Sequence, residues 1–291
     1  MHVIVFSKDR PLQLHGYLAS LQHNTGVADE QIAVVYVDDP SYRPLIDEKP
    51  RLRWAPEKGG FHATLAGLID AMDDDELVLF GCDDVVYFRQ ADLAAAAHVL
   101  HADATITGFS LRLGSNVPGF EAIKAEGKRD GGLIVWTTDG HSGHWNYPFE
   151  VMGSIFRAGL VKQILEVGGP FRGPNDFEGV GMRLCCAPRV PWQRVLSRKL
   201  RGKPPIKGDR QRVAFGKLAM FDRPNCCAAQ DVNLVQSQVA NQTHGSDEHD
   251  IDTLKEKFLA GYRFDWRSMQ GITPNDCFIG DRYWKLVKPA G

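Results

Sequence analysis

The sequence predicts an α/β protein in which a mostly parallel sheet is flanked by helices. Along the first third of the chain, short continuous apolar runs alternate with segments whose apolar residues recur at helical spacing. Continuous runs are typical of parallel strands, which are buried on both faces. No linker divides the 291 residues. We therefore predict a single domain in two halves, residues 1–114 and residues 115–291, the second of which ends in a helical segment.

Four apolar runs are the predicted strands of the first half, at residues 3–6, 32–37, 52–54 and 77–80. Apolar residues three and four positions apart predict a helix after the first, third and fourth of these strands, over residues 14–21, 61–72 and 91–101. Strands and helices in alternation favour right-handed crossovers, which bring the strands into one parallel sheet.

The second half shows less regular patterns. Predicted strands cover residues 106–113 and 133–137, an extended buried segment covers 147–156, and the glycine-rich residues 114–132 are a predicted loop. Helices are predicted at 160–167, 232–239 and 253–262. A further helix is predicted to start at Asn175, because Asn175 with Glu178 three residues later is the arrangement of a capping box.

Composition excludes several classes of protein. With 43% hydrophobic and 24% charged residues, the chain is not predominantly disordered. Its net charge of −2 argues against a nucleic-acid partner, because phosphate binding needs a strongly positive surface. No apolar run approaches the roughly 20 residues that cross a bilayer, and the chain opens on a strand-like segment instead of a leader sequence. We expect a cytoplasmic protein.

The six cysteines do not form a recognisable framework. Four of them are adjacent pairs, Cys185–Cys186 and Cys226–Cys227, and no CxxC spacing occurs. Neither a disulfide scaffold nor a zinc ribbon is therefore indicated. We expect reduced, buried thiols.

Polar clusters follow three of the predicted strands. The clusters are Ser7, Lys8, Asp9 and Arg10 after the first strand, Asp38 and Asp39 after the second, and Asp83 and Asp84 after the fourth. Because ligands of parallel α/β sheets bind at the carboxyl ends of the strands, these clusters should converge on one binding site.

Two adjacent carboxylates after a buried strand suit a hard divalent cation. Mg²⁺ takes carboxylate oxygens together with substrate phosphate oxygens, so Asp83 and Asp84 could hold a nucleotide diphosphate through a metal ion. A turn or a helix cap is the alternative role for both acids. The first loop contains neither GxGxxG nor a P-loop, which argues against a Rossmann cofactor and against simple NTPase chemistry.

Five segments in order resemble the GT-A-fold glycosyltransferases, and most closely the family-2-like enzymes of bacterial surface polysaccharide synthesis. The segments are residues 3–14, 35–39, 80–88, 147–156 and 174–179. The resemblance extends from residue 2 to about residue 185. It implies a GT-A-like, Rossmann-like fold, a nucleotide-sugar donor, a divalent metal ion (Mn²⁺ or Mg²⁺) at a DxD motif, and a hydroxyl group on a saccharide or lipid-linked saccharide acceptor.

The resemblance also implies roles for single residues on the donor side. Asp84 would bind the metal and Asp83 would bind the ribose or the metal, although Cys82 stands where the motif has its first aspartate. A late histidine often binds the metal in this family, and His244 has that position. The remaining donor contacts would come from Ser7, Lys8, Arg10, Asp38 and Asp39.

On the acceptor side, the resemblance makes Glu178 the first candidate for the general base of an inverting transfer and Asp176 the second. A carboxylate at a helix N-terminus is stabilised as the anion, which should lower its basicity. The alternative is that Glu178 only caps the helix.

Further candidates lie outside these motifs. His141 and His144 are candidate metal or diphosphate contacts, and Trp145, Tyr147 and Trp192 are rings that could stack on a sugar. The basic residues 194–212 are a candidate contact with the donor diphosphate, an anionic acceptor or the inner face of a membrane, and otherwise a solvated loop.

Two other functions compete with glycosyl transfer. A sugar nucleotidyltransferase shares the sheet and the metal chemistry, but it normally has a glycine-rich first loop, which this chain lacks. A non-catalytic module that binds a saccharide or a nucleotide is the second alternative.

Overall fold

The structure is a computed structural model that describes residues 1–185, 216–230, 232 and 249–288, with only the backbone of residues 128–130. The described strands are β1 (His2–Ser7), β2 (Ile32–Tyr36), β3 (Arg53–Pro56), β4 (Leu77–Cys82), β5 (Val85–Tyr87), β6 (Gly108–Ser110), β7 (Lys128–Asp130), β8 (Leu133–Thr137), β9 (Ser154–Arg157), β10 (Lys217–Phe221), β11 (Cys227–Ala229), β12 (Arg263–Phe264) and β13 (Leu286–Val287).

Nine of these strands form one continuous sheet in the order β3-β2-β1-β4-β9-β6-β10-β8-β7. The pairs β1–β2, β1–β4, β2–β3 and β6–β10 are parallel. The other four pairs are antiparallel, and each of them includes β8 or β9. All strands of the sheet except these two therefore point the same way, and the predicted mostly parallel sheet is confirmed.

Helices cover both faces of the sheet. They are α1 (Pro11–Thr25), α2 (Arg43–Glu48), α3 (Phe61–Ile69), α4 (Leu93–Ala102), α5 (Phe120–Glu126), α6 (Ala158–Gly168), α7 (Pro174–Cys185) and α8 (Ile251–Leu259). One core contains buried residues of α1, α4 and α8, and the other contains those of α3, α6 and α7. Within the described ranges, no helix combines the length and the apolarity needed to cross a bilayer.

Burial between these two cores accounts for the continuous apolar runs. Successive side chains of a strand point to opposite faces of the sheet. In β1, Val3 and Val5 accordingly pack in the core with α1, and Ile4 and Phe6 pack in the core with α3. A strand buried on both faces has no position for a polar side chain until it reaches the edge of the sheet.

Strand register brings three strand ends together at one edge of the sheet. Phe6 near the end of β1 pairs with Cys82 at the end of β4, and the Asp83 N–H donates to the Phe6 carbonyl at 3.1 Å. Strand β9 is antiparallel to β4 and starts at Ser154, opposite Phe80. The residues before Ser154 therefore lie at the same edge, which we call the carboxyl edge.

Several predicted elements are shorter or different in the structure. The predicted strand at 106–113 is shorter in the structure, where β6 covers only Gly108–Ser110. Most of the predicted extended segment at 147–156 is not a strand, because β9 begins only at Ser154. Residues 114–132, predicted as a loop, contain α5 and the first part of the β7–β8 hairpin. Phe120 and Ile123 of α5 are buried, so packing of these two side chains supports a helix despite the surrounding glycines.

The predicted capping box is wrong. Helix α7 begins at Pro174, so Asn175 lies inside its first turn and Glu178 is its fifth residue. The Glu178 side chain accepts hydrogen bonds from Tyr147 and Val151 and not from the start of its own helix. The predicted helix at 253–262 is confirmed as α8, whose cap is Asp250. The segments 194–212 and 233–239 lie outside the described residues.

The cysteines that the structure describes are free thiols, as expected. They are Cys82, Cys185, Cys226, Cys227 and Cys277, and all but the half-buried Cys82 are buried. Cys186 lies outside the described residues.

Candidate active site at the carboxyl edge of the sheet

Two of the three predicted polar clusters meet at the carboxyl edge. The Ser7 hydroxyl at the end of β1 donates to Asp83 Oδ2 at 2.8 Å, just beyond the end of β4. Arg10 forms ion pairs with both Asp83 and Asp84. The adjacent parallel strands β1 and β4 thus bring together side chains that are more than 70 residues apart in the sequence.

A chain of hydrogen bonds fixes Asp83. The Arg10 N–H donates to the Tyr42 hydroxyl at 3.1 Å, and the Tyr42 and Ser7 hydroxyls are 2.6 Å apart. Because the Ser7 hydroxyl donates its proton to Asp83, the Tyr42 hydroxyl is the donor in the contact between Tyr42 and Ser7. Tyr42 is fully buried in the short 3₁₀ helix Pro40–Tyr42 after β2. Sequence reasoning missed this tyrosine, because it belongs to no motif and follows a different strand.

Arg10 is the counter-ion of two buried acids. Asp83 is 1% exposed and Asp84 is 8% exposed. Burial raises the pKa of the Asp83 carboxyl above its ordinary range, against the lowering effect of Arg10, while the neighbouring Asp84 raises it further. One guanidinium for two carboxylates leaves this cluster with one net negative charge when both acids are ionised.

Asp84 has a free oxygen suited to a cation. Its Oδ2 lies 3.3 Å from Arg10 Nη1, whereas its buried Oδ1 has no hydrogen-bond partner among the described residues. Asp83 Oδ2 accepts a hydrogen bond from Ser7, and Asp83 Oδ1, which also has no hydrogen-bond partner among the described residues, forms an ion pair with Arg10. A buried carboxylate oxygen without a donor is costly unless a cation or a ligand meets it, so Asp84 Oδ1 fits a metal ligand better than either oxygen of Asp83 does.

The other predicted donor contacts have different environments. Lys8 and Asp38 are exposed. Asp39 accepts hydrogen bonds from Ser41 and lies 3.0 Å from Lys255 Nζ. Lys255, on α8, also lies 3.3 Å from Asp9 and so joins the loops after β1 and β2. No sequence pattern pointed to Lys255, because its partners are more than 200 residues away.

Glu178 lies at the same edge as the acid pair. Its Oε1 accepts a hydrogen bond from the Tyr147 hydroxyl and its Oε2 one from the Val151 N–H, each at 2.9 Å. The Val151 carbonyl in turn accepts a hydrogen bond from Cys82 Sγ at 3.7 Å. One residue, Val151, therefore connects the end of β4 to Glu178.

The pKa of Glu178 is shifted in the direction opposite to the expected one. A position at a helix N-terminus was expected to lower its basicity. Burial instead raises the pKa of Glu178; the hydrogen bond from Val151 opposes this effect and the charge of Glu150 adds to it. A raised pKa makes the carboxylate a stronger base.

Asp176, in contrast to Glu178, does not contact the residues at the carboxyl edge that are described above. It is exposed on α7, and its Oδ2 lies 3.7 Å from Nε of Arg172, which precedes that helix. His244, Trp192 and the basic residues 194–212 lie outside the described residues. Trp145 was expected to face a sugar, but it is 3% exposed and packs against Trp136 in the core, because its ring fills the space between α5 and β8.

A second buried ion pair lies beside Glu178. Arg112, which follows β6, pairs with Glu150, and both residues are at most 3% exposed. Ser154 Oγ also donates to Glu150 at 2.6 Å. Neither residue was identified from the sequence, because a lone arginine and a lone glutamate give no motif.

Replacement of Arg10 tests the electrostatics of this edge. Arg10→Met is expected to lower the free energy of unfolding by about 3–5 kcal/mol at neutral pH, because it leaves two buried carboxylates without a counter-ion. Burial raises the pKa of Asp83 in the folded state, so the loss should shrink as the pH falls and Asp83 becomes protonated. Urea unfolding at neutral pH and about pH 5 measures both effects.

Arg43→Met is the matched control, because the Arg43–Asp47 pair is exposed and should contribute at most about 1 kcal/mol. Equal losses for the two variants, or a loss for Arg10→Met that does not depend on pH, would show that Arg10 does not neutralise Asp83 and Asp84.

Comparison with known proteins gives one relative with a described activity. No family model matches the chain. The chain is similar to the bifunctional glycosyltransferase pgtA of Dictyostelium discoideum, with 22% identity in a match that covers 63% of this chain. The match spans only 28% of the length of that protein.

Solved structures give weaker likenesses. A crystal structure of S. aureus TarS 1–349 is 15% identical over 79% of this chain and 61% of that chain, with a TM-score of 0.46. A structure of TarS 1–349 in complex with UDP is 16% identical over 63% of this chain and 54% of that chain, with a TM-score of 0.39. The relative from Dictyostelium and the mostly parallel sheet together confirm the resemblance to GT-A-fold glycosyltransferases.

Proposed function

We propose that the protein transfers a sugar from a nucleotide-sugar donor to a hydroxyl group of an acceptor. The observation that carries the proposal is the placement of two unlike acids at one edge of the sheet. Asp84, which follows β4, has a buried oxygen without a hydrogen-bond partner in the described part of the chain. Glu178, connected to β4 through Val151, has a raised pKa. Acids in such different environments suit different roles in one reaction.

The donor side consists of residues 1–114. The cluster of Arg10, Asp83 and Asp84 carries one net negative charge, so an anionic diphosphate would be repelled unless a cation bound with it. Asp84 Oδ1 would hold that cation, Mn²⁺ or Mg²⁺, together with the diphosphate oxygens. When bound, the ion would supply positive charge that stabilises the leaving diphosphate. Ser7, Tyr42 and Arg10 would hold the acid pair in place.

The acceptor side consists of residues 115–291 and contributes the base. The acceptor oxygen forms a bond to the anomeric carbon of the sugar, the bond from that carbon to the donor phosphate oxygen breaks, and Glu178 takes the proton of the acceptor hydroxyl. A single displacement of this kind inverts the anomeric configuration. The acceptor class that we propose is a saccharide, free or linked to a lipid.

Tyr147 is proposed to position Glu178. Tyr147→Phe removes a hydrogen bond to the carboxylate, which raises the pKa of Glu178 further. Because the base must be deprotonated, the acidic limb of the kcat/KM profile should move to higher pH, while the plateau rate falls less than about tenfold because Val151 still holds Oε2. The measurement is the pH profile of transfer, with the exposed Tyr262→Phe as a control. An unshifted acidic limb would remove Tyr147 from this role.

Turnover of a donor panel tests the proposal. UDP-, GDP-, CMP- and dTDP-sugars are incubated with saccharide acceptors, with and without Mn²⁺, and the released nucleotide and the new glycoside are quantified. Metal-dependent release of the nucleotide with formation of a glycoside is the expected result. Release of pyrophosphate from a nucleoside triphosphate and a sugar phosphate would indicate a nucleotidyltransferase. Donor binding without turnover would indicate a binding module.

A further inference from the structure

A second cluster of metal-ligating side chains lies away from the Asp83–Asp84 pair. His144, Asp276 and Cys277 each place one ligating atom within 4.8 Å of the others, and no other group of three or more such residues occurs in the described part of the chain. His144 Nε2 and Asp276 Oδ1 are 3.3 Å apart. The cluster brings together a nitrogen, an oxygen and a sulfur ligand.

The three residues come from two segments that the fold holds firmly. His144 belongs to the short 3₁₀ helix Gly143–Asn146. Asp276 and Cys277 belong to a loop that pairs with β11, where the Ala229 N–H donates to the Cys277 carbonyl at 3.0 Å. Asp276 Oδ1 accepts a hydrogen bond from the Cys277 N–H at 2.6 Å. The position of the loop with Asp276 and Cys277 is thus set by backbone contacts that do not need an ion.

The ligand set and its spacing fit Zn²⁺. Zinc binds histidine nitrogen and carboxylate oxygen at about 2.0–2.2 Å and thiolate sulfur at about 2.3 Å, so tetrahedral geometry places its ligand atoms about 3.3–3.8 Å apart. The separation of 3.3 Å between His144 Nε2 and Asp276 Oδ1 matches this geometry, and Cys277 Sγ lies within 4.8 Å of both atoms. His144 and Asp276 are half-buried and Cys277 is fully buried, so the described residues partly shield the cluster from solvent. Three protein ligands leave a fourth position for water.

Burial raises the pKa of the Cys277 thiol, and a basic side chain next to the sulfur opposes that effect. Arg112 Nη1 lies 3.1 Å from Cys277 Sγ and can donate to it, while Glu150 balances the charge of Arg112. Hydrogen bonds from neighbouring residues to a thiolate ligand are a usual feature of metal sites. The thiol would lose its proton to solvent when the sulfur binds the ion.

We propose that His144, Asp276 and Cys277 bind one Zn²⁺ ion, which ties the loop around residues 276–277 to the 3₁₀ helix Gly143–Asn146. This site is independent of the proposed transferase activity and uses none of its residues.

Cobalt substitution tests the site, because a thiolate bound to Co²⁺ gives a charge-transfer absorption band that carboxylate and histidine ligands do not give. The full-length protein is stripped with a chelator and titrated with Co²⁺, followed by competition with Zn²⁺. One equivalent of Co²⁺ should produce the band, and Zn²⁺ should abolish it. Cys277→Ser should remove the band. His144→Ala, a half-buried position where folding should be retained, should weaken metal affinity by at least about tenfold.

Two controls separate this site from others. Cys226→Ala replaces a buried thiol elsewhere, and Asp84→Asn removes the proposed donor-side ligand; both should leave the band and the affinity unchanged. Absence of the band in the unmodified protein, its survival in Cys277→Ser, or full affinity in His144→Ala would overturn the assignment. Loss of the band in Asp84→Asn would do the same. Loss of transferase activity alone would not bear on it.

Discussion

Glu178→Gln is expected to lower kcat by roughly 10²–10⁴-fold while the affinity for the nucleotide-sugar stays the same. The amide cannot take the proton of the acceptor hydroxyl. It can still accept from the Val151 N–H through its oxygen and donate to the Tyr147 hydroxyl through its nitrogen, so both contacts of Glu178 are preserved and folding should be little affected. Steady-state kinetics with parallel binding measurements provide the test.

Glu166→Gln is the matched control, because Glu166 is exposed on α6 and its replacement should leave the rate unchanged. Asp176→Asn is the rival variant. A near-normal rate for Glu178→Gln with a collapsed rate for Asp176→Asn would move the base to Asp176. Near-normal rates for both would remove α7 from the mechanism and favour a retaining reaction.

Asp84→Asn is expected to lower transfer by roughly 100-fold or more and to remove the metal-dependent part of nucleotide diphosphate affinity. Charge stabilisation by a metal ion is worth several kcal/mol, and about 1.4 kcal/mol corresponds to a factor of ten in rate. The Arg10 ion pair with Asp83 remains in this variant, so the fold should be retained. Titration calorimetry with a nucleoside diphosphate, with and without Mn²⁺, measures the affinity.

Asp75→Asn is the control for Asp84→Asn. Asp75 is exposed just before β4, so the same charge is removed at the opposite edge of the sheet. The control should keep its metal-dependent affinity. If Asp84→Asn also kept it, the metal would not be held at the end of β4.

The sheet could be predicted because the central strands of the first half are buried on both faces. A run such as residues 3–6 or 77–80 has no polar position, and so short a run between turn-forming residues is typical of a buried parallel strand. Prediction failed where short elements depend on distant partners. Helix α5 lies among glycines and is supported by packing of Phe120 and Ile123, which the local sequence does not reveal.

The sequence predicted that polar clusters meet at the strand ends, but it did not predict the contacts that their side chains make. The rule that ligands bind at strand ends brought Ser7, Arg10 and Asp83 to one place, as the structure shows. The sequence could not show that Arg10 forms ion pairs with Asp83 and Asp84. It also placed Glu178 in a capping box, because the spacing from Asn175 is the same whether the side chain turns back to its helix or reaches Tyr147.

The central claim is that a nucleotide diphosphate binds at the carboxyl edge of the sheet, and a crystal structure of the protein with a nucleoside diphosphate and Mn²⁺ tests it most directly. We expect the ion bound to Asp84 Oδ1 and to the diphosphate, with the nucleoside over the ends of β1 and β2. A nucleotide bound away from these strand ends, or a diphosphate out of reach of Asp84, would contradict this claim.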